Sequence, residues 1–91
     1  MRKRAHVFYS GRVQGVGFRY SVREVACGFE VTGFVRNLPD NRVELVAEAT
    51  EAEAEAFLAA IHESHLDGHI HGEDVNWETA TGEFNGFGIR H

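Results

Sequence analysis

Cysteine is almost missing from this chain. Cys27 stands alone, so no intramolecular disulfide can staple the fold, and nothing argues against a reducing compartment. Apolar runs are short too, and none approaches the roughly 18 residues of a membrane-spanning helix. The opening MRKRAHVFYS is basic but lacks the apolar stretch of a secretory signal. A cytoplasmic location is therefore the expectation, with no membrane partner, and a monomer is the default. Net positive charge is also lacking. At −5, the chain is a poor candidate for a general nucleic-acid binder, whose affinity rests on excess Lys and Arg.

That balance does not forbid a local anion site, because exposed charges feel one another only over about 8 Å in physiological salt. Arg2, Lys3, Arg4, Arg12, Arg19, Arg23, Arg36 and Arg42 all lie in the first half, whereas acidic residues crowd the second half from Glu44 onward. With 91 residues, 43% hydrophobic and 25% charged, the composition is that of one globular domain over residues 1–91.

Hydrophobic periodicity organises the chain. His6 to Val13 alternates as a strand, with Val7, Tyr9 and Val13 on one face. From Phe18 the period changes: Phe18, Val22, Val25, Ala26 and Phe29 make one stripe of a helix. Val31 to Asn37 alternates again, LPDN carries hairpin-turn chemistry, and Arg42 to Ala49 forms the second arm. On that arm Val43, Leu45 and Ala47 share one face, while Glu44 and Glu48 lie on the other, read as exposed. Thr50 caps a second helix, with Glu53 at capping-box spacing and Ala54, Phe57, Leu58 and Ile61 as its stripe. His62 to Gly72 reads mostly as loop, Val75 to Thr79 as a strand, and Phe87 to Ile89 as a short final one. The order predicts an α+β, ferredoxin-like βαββαβ fold, a split βαβ sandwich of an antiparallel sheet with two helices on one face.

Between the first strand and the first helix lies SGRVQGVGFRY, residues 10–20, with glycines at 11, 15 and 17. Glycine is costly to order, so three together need a reason. The N–H groups of Gln14, Gly15, Val16, Gly17 and Phe18 sit where a helix has unpaired donors and a positive dipole end, and Arg19 adds a planar fork for oxyanions. The residues alone leave two readings open: a tight turn with a solvated arginine, or a nest for a phosphoryl group. Neither common nucleotide loop fits. Walker A chemistry needs Gly-Lys-Ser/Thr, and a dinucleotide fingerprint starting at Gly15 would need glycine where Tyr20 stands.

GRVQGVGFRY, followed by TGFVRNLPDNRVELVAEA and a closing TGEFNGFGIR, resembles the acylphosphatase family from about Arg4 to Arg90. The resemblance implies hydrolysis of acyl phosphates to a carboxylate and inorganic phosphate, with no metal or cofactor. It implies that Arg19 and the N–H groups of Gln14 to Phe18 hold the phosphoryl oxygens, and that Asn37 orients the attacking water. Asn37 would lie on a strand next to the first one, and Arg36, on the opposite face, is left out of the site as solvated. Four features depart from the family pattern: Phe34 for tryptophan, Glu30 for glycine, Ser21 for a larger side chain, and the His62–Gly72 stretch.

Other readings weigh less. His62, His65, His69 and His71 have ligand-like spacings, but no cysteine accompanies them, and histidines in a polar loop are usually solvated. Cys27 is read as a packing residue. RNA-binding domains of the same plan stack bases on aromatics of strands 1 and 3, and RVELVAEA has none. A domain of a hydrogenase-maturation carbamoyltransferase would carry zinc-finger cysteines after it, which the sequence does not, so a free-standing enzyme is the expectation.

Overall fold

A computed structural model describes residues 1–91. In chain order the elements are β1 (Arg2–Gly11), α1 (Phe18–Ala26), β2 (Thr32–Asn37), β3 (Val43–Thr50), α2 (Glu51–Glu63), a 3-10 turn (His65–His69), β4 (Ile70–Thr79) and β5 (Phe87–Arg90). One sheet runs β4-β1-β3-β2-β5. Pairs among the first four strands are antiparallel, and β5 joins β2 in parallel, so the sheet is mixed at that edge.

This order corrects one expectation. β2 is not the neighbour of β1, because β3 lies between them. The crossover through α1 sets β1 and β2 parallel with a gap of one strand, and the short LPDN turn folds β3 back into it. Tyr9, Val43 and Asn37 then stand in one row across three strands. Two strand spacings, roughly 10 Å, separate the end of β1 from Asn37.

Alternation decides what each face buries. Ala5, Val7 and Tyr9 of β1, Val35 of β2 and Val43, Leu45, Ala47 and Ala49 of β3 meet the helical stripes Phe18, Val22, Ala26 and Ala54, Phe57, Leu58, Ile61. α1 ends at Ala26 in a tightened turn, with Cys27 N–H shared between the Arg23 and Glu24 carbonyls. Thr50 Oγ1 accepts from Glu53 N–H at 3.3 Å, but the returning arm of the capping box is diverted. The Glu53 carboxylate instead accepts from Glu30 N–H at 2.9 Å, tying the start of α2 to the connection after α1.

The opposite face of β3 is not exposed as expected. Glu48 is fully buried and Glu44 nearly so. Arg4 Nε reaches Glu48 at 2.8 Å, and the N–H groups of Thr81 and Gly82 each donate to it at 2.9 Å. Burial pushes the Glu48 carboxyl up, but those donors and Arg4 outweigh it and hold the group below its ordinary range. Arg36, expected to be solvated, pairs with Glu44, which His6 grips from the other side at 2.6 Å. Phe34, the tryptophan replacement, lies under the Arg90 guanidinium at 4.0 Å.

Removing the charge at Glu48 should show. Glu48→Gln is expected to cost about 3 kcal/mol of unfolding free energy in urea titration at pH 7. The Glu48 contribution is present above the unfolded value near 4.5 and is lost as pH falls through the lower folded value. The gap between variant and wild type should therefore close on acidification. A gap that stays constant down to pH 3 would refute this account.

The histidine-rich stretch is not mostly loop. α2 runs on to Glu63, a 3-10 turn follows, and β4 starts at Ile70. His62 is held by two carboxylates, Asp67 at Nδ1 (2.7 Å) and Glu73 at Nε2 (2.9 Å). The Asp67 hydrogen bond raises its pKa, burial opposes, and Glu73 adds to the rise. β1 also differs: it starts at Arg2 and ends at a bulge between Ser10 and Gly11, leaving Val13 buried beyond the strand.

Candidate active site

The connection from β1 to α1 sets two left-handed glycines around one residue of ordinary φ. Gly15 and Gly17 have φ of 78° and 75°, while Val16 between them keeps a negative φ. Alternating signs turn successive N–H groups toward one point. A Cβ at either glycine would meet nothing within 4 Å, so backbone conformation, not crowding, demands glycine. The N–H groups of Gln14 to Gly17 donate to no backbone acceptor, and Gly17 caps α1 with no side-chain partner. Ser21 N–H closes the first helical turn onto the Gly17 carbonyl at 3.0 Å.

Side chains around the loop differ in burial and contacts. Phe18 is buried against Tyr9, with ring centroids 5.4 Å apart, and anchors the loop from behind. Burial, then the nearby Glu73 carboxylate, push the Tyr9 phenol up, so it stays neutral under the loop. Val16 is exposed. Arg19 is half-buried, and its Nη1 lies 3.4 Å from Nδ1 of His91.

Pairing decides the local field. Lys3, Arg4, Arg36 and Arg42 each hold a carboxylate, whereas Arg12, Arg19 and Arg23, which bracket the loop, hold none. Arg2 and Arg90 hold no carboxylate either, so in a chain of net charge −5 the absence of a competing carboxylate at Arg19 is shared by five of its eight arginines.

Asn37 is the last residue of β2 and shares the helix-facing side with Val35. Its Oδ1 is buried and has no hydrogen-bond partner. A buried polar atom left so costs about 1–3 kcal/mol, and the Tyr9 hydroxyl beneath the loop is left in the same way.

Two links bring the loop and Asn37 to the same end of the sheet. Gln14 Nε2 donates to the carbonyls of Leu38 (2.9 Å) and Arg42 (2.8 Å), on the turn that follows Asn37. On the other side, Arg36 pairs with Arg90, so Asn37 and His91 come next in parallel, and His91 touches Arg19. Sequence reading took Gln14 for its backbone only and missed His91. Their partners lie 24, 28 and 72 positions away, where no local spacing could signal them.

Neither of the two cavities is here. One of about 560 Å³ lies between the end of α1 and the start of α2, lined by Arg2, Cys27, Phe29 and Glu53 among others, and one of about 330 Å³ beside Trp77. A tetrahedral anion needs a shallow ring of donors, not a deep pocket. No three His, Cys, Asp or Glu side chains are grouped to hold a metal ion, and no helix is long and apolar enough to cross a membrane.

The family model for acylphosphatase matches residues 5–89. The chain belongs to the acylphosphatase family. An acylphosphatase of Roseiflexus sp. is 45% identical, over 94% of this chain and 92% of that protein. Among solved structures, the acylphosphatase of Bacillus subtilis superposes with a TM-score of 0.88 at 30% identity, covering 98% of this chain and 99% of that one. Full-length HypF in its phosphate- and nucleotide-bound form contains a similar unit, with a TM-score of 0.84 at 26% identity. This chain is covered completely there but spans 12% of HypF. The acylphosphatase fold thus accounts for the whole sheet and both helices, and membership makes the chain an acylphosphatase enzyme.

Proposed function

We propose that this acylphosphatase hydrolyses the carboxyl–phosphate bond of acyl phosphates without a metal ion, with Arg19 and the 14–18 backbone holding the phosphoryl group and Asn37 orienting water. One observation carries the reading: the polar groups at this end of the sheet are left under-used by the protein in a complementary way. The N–H groups of Gln14 to Gly17 have no backbone acceptor, Arg19 has no carboxylate and only the 3.4 Å contact with His91, and Asn37 Oδ1 is an acceptor without a partner.

The chemistry asks for little else. The donors of the nest and the Arg19 fork match the three non-bridging oxygens, whose charge must be held as the reaction proceeds. The Asn37 side-chain amide holds the water by a hydrogen bond and aims the water's lone pair at phosphorus. An O–P bond forms from water, and the bond from phosphorus to the acyl oxygen breaks. The electron pair leaves on a carboxylate whose conjugate acid has a pKa near 4, so no general acid is required. An asparagine takes no proton at neutral pH, so the proton of the water passes to phosphate or solvent.

The test is hydrolysis of benzoyl phosphate by the purified protein in excess EDTA. Turnover well above the buffer rate is expected. A rate equal to buffer, with and without added divalent cations, would sink the proposal.

A further inference from the structure

The Gln14 side chain does something that its backbone does not. Its single amide nitrogen donates to two carbonyls, Leu38 at 2.9 Å and Arg42 at 2.8 Å. Those carbonyls belong to the turn between β2 and β3, whose first strand ends in Asn37. The turn also closes on itself, with Leu38 N–H donating to the Arg42 carbonyl at 2.8 Å and Asn41 N–H to the Leu38 carbonyl at 3.2 Å. Each carbonyl therefore has a backbone partner already, and the turn can exist without Gln14. What only Gln14 supplies is the link between the turn and the loop.

That link spans a gap in the sheet. β3 separates β1 from β2, so no ladder hydrogen bond joins the strand that feeds the loop to the strand that ends in Asn37. We infer that the Gln14 amide is the positioning residue that sets the distance between the phosphoryl-holding loop and Asn37, and so the aim of the attacking water. The inference rests on the function proposed above. It separates two roles in one residue: the N–H serves binding, and the side chain serves geometry. In-line displacement is sensitive to such placement, where a shift of about 1 Å can cost about a hundredfold in rate.

The experiment uses Gln14→Met, which keeps length and volume but donates nothing. Benzoyl phosphate kinetics and competitive inhibition by inorganic phosphate are measured together. We expect kcat to fall about tenfold or more, while the phosphate inhibition constant moves less than about threefold. In an Asn37→Ala background the same substitution should add less than about twofold, because its effect passes through Asn37. Gln14→Lys, whose ammonium can reach both carbonyls, should recover most of kcat.

Three results would overturn the inference: unchanged kcat in Gln14→Met, parallel loss of phosphate affinity and kcat, or no recovery with lysine in a folded variant. Circular dichroism melts show whether each variant is folded. Absence of turnover in the wild type would instead dispose of the proposed function, so the two failures are distinguishable.

Discussion

Arg19→Ala is expected to abolish measurable turnover of acyl phosphates, a loss of about a thousandfold or more in kcat/KM, and to weaken inorganic phosphate binding by at least about tenfold. The magnitude follows from what the guanidinium supplies: full charge, a planar fork and no competing carboxylate. Stability should change little, because Arg19 is half-buried and its one side-chain contact, with His91, is long at 3.4 Å. Arg19→Lys keeps the charge but loses the fork, and should recover only a small part of the rate. Isothermal titration with phosphate is the decisive measurement. Equal affinity in wild type and Arg19→Ala would mean that the cradle lies elsewhere.

Asn37→Ala should also lose about a thousandfold in kcat, yet leave phosphate affinity within about threefold of wild type. The two substitutions thus separate binding of the phosphoryl group from activation of water. A second readout sharpens the test. The buried Oδ1 of Asn37 has no partner, so removing it relieves a desolvation cost. Asn37→Ala should match or exceed the wild type in thermal stability, the expected signature of a residue kept for function. A clear loss of stability with retained activity would assign Asn37 to the hairpin turn instead.

The two residues were differently legible. Arg19 was a candidate from its neighbourhood, because glycines at 15 and 17 before an apolar helical stripe announce a helix entry with spare donors, although the residues alone left a solvated arginine equally open. Asn37 was not, since an asparagine before LPDN is ordinary turn chemistry and only the family resemblance singled it out. Its unpaired buried oxygen, a condition it shares with the Tyr9 hydroxyl, depends on everything folded around it. β4 illustrates the same limit. Its stretch IHGEDVNWET is polar because the strand sits at the sheet edge with little of it buried, so the period-two signal was visible only near Val75. The glutamates of β3 were misread for a related reason. Alternation assigns a residue to a face, but whether that face is wet depends on Arg4, Arg36 and the Thr81–Gly82 turn, which come from distant parts of the chain.

By itself the sequence determined what local physics controls. Periods of two and 3.6 placed most strands and both helices, Thr50 marked the start of α2, and glycines at 15 and 17 took the positive φ of the β1–α1 loop. Tertiary structure alone decided the pairing of charges and the meeting of distant groups. It set β3 between β1 and β2, left Arg12, Arg19 and Arg23 without carboxylates, and joined the loop to Asn37 through one glutamine amide. The reason is range: a backbone conformation is chosen by a residue and its neighbours, whereas a hydrogen bond across 24 positions exists only once the sheet has closed.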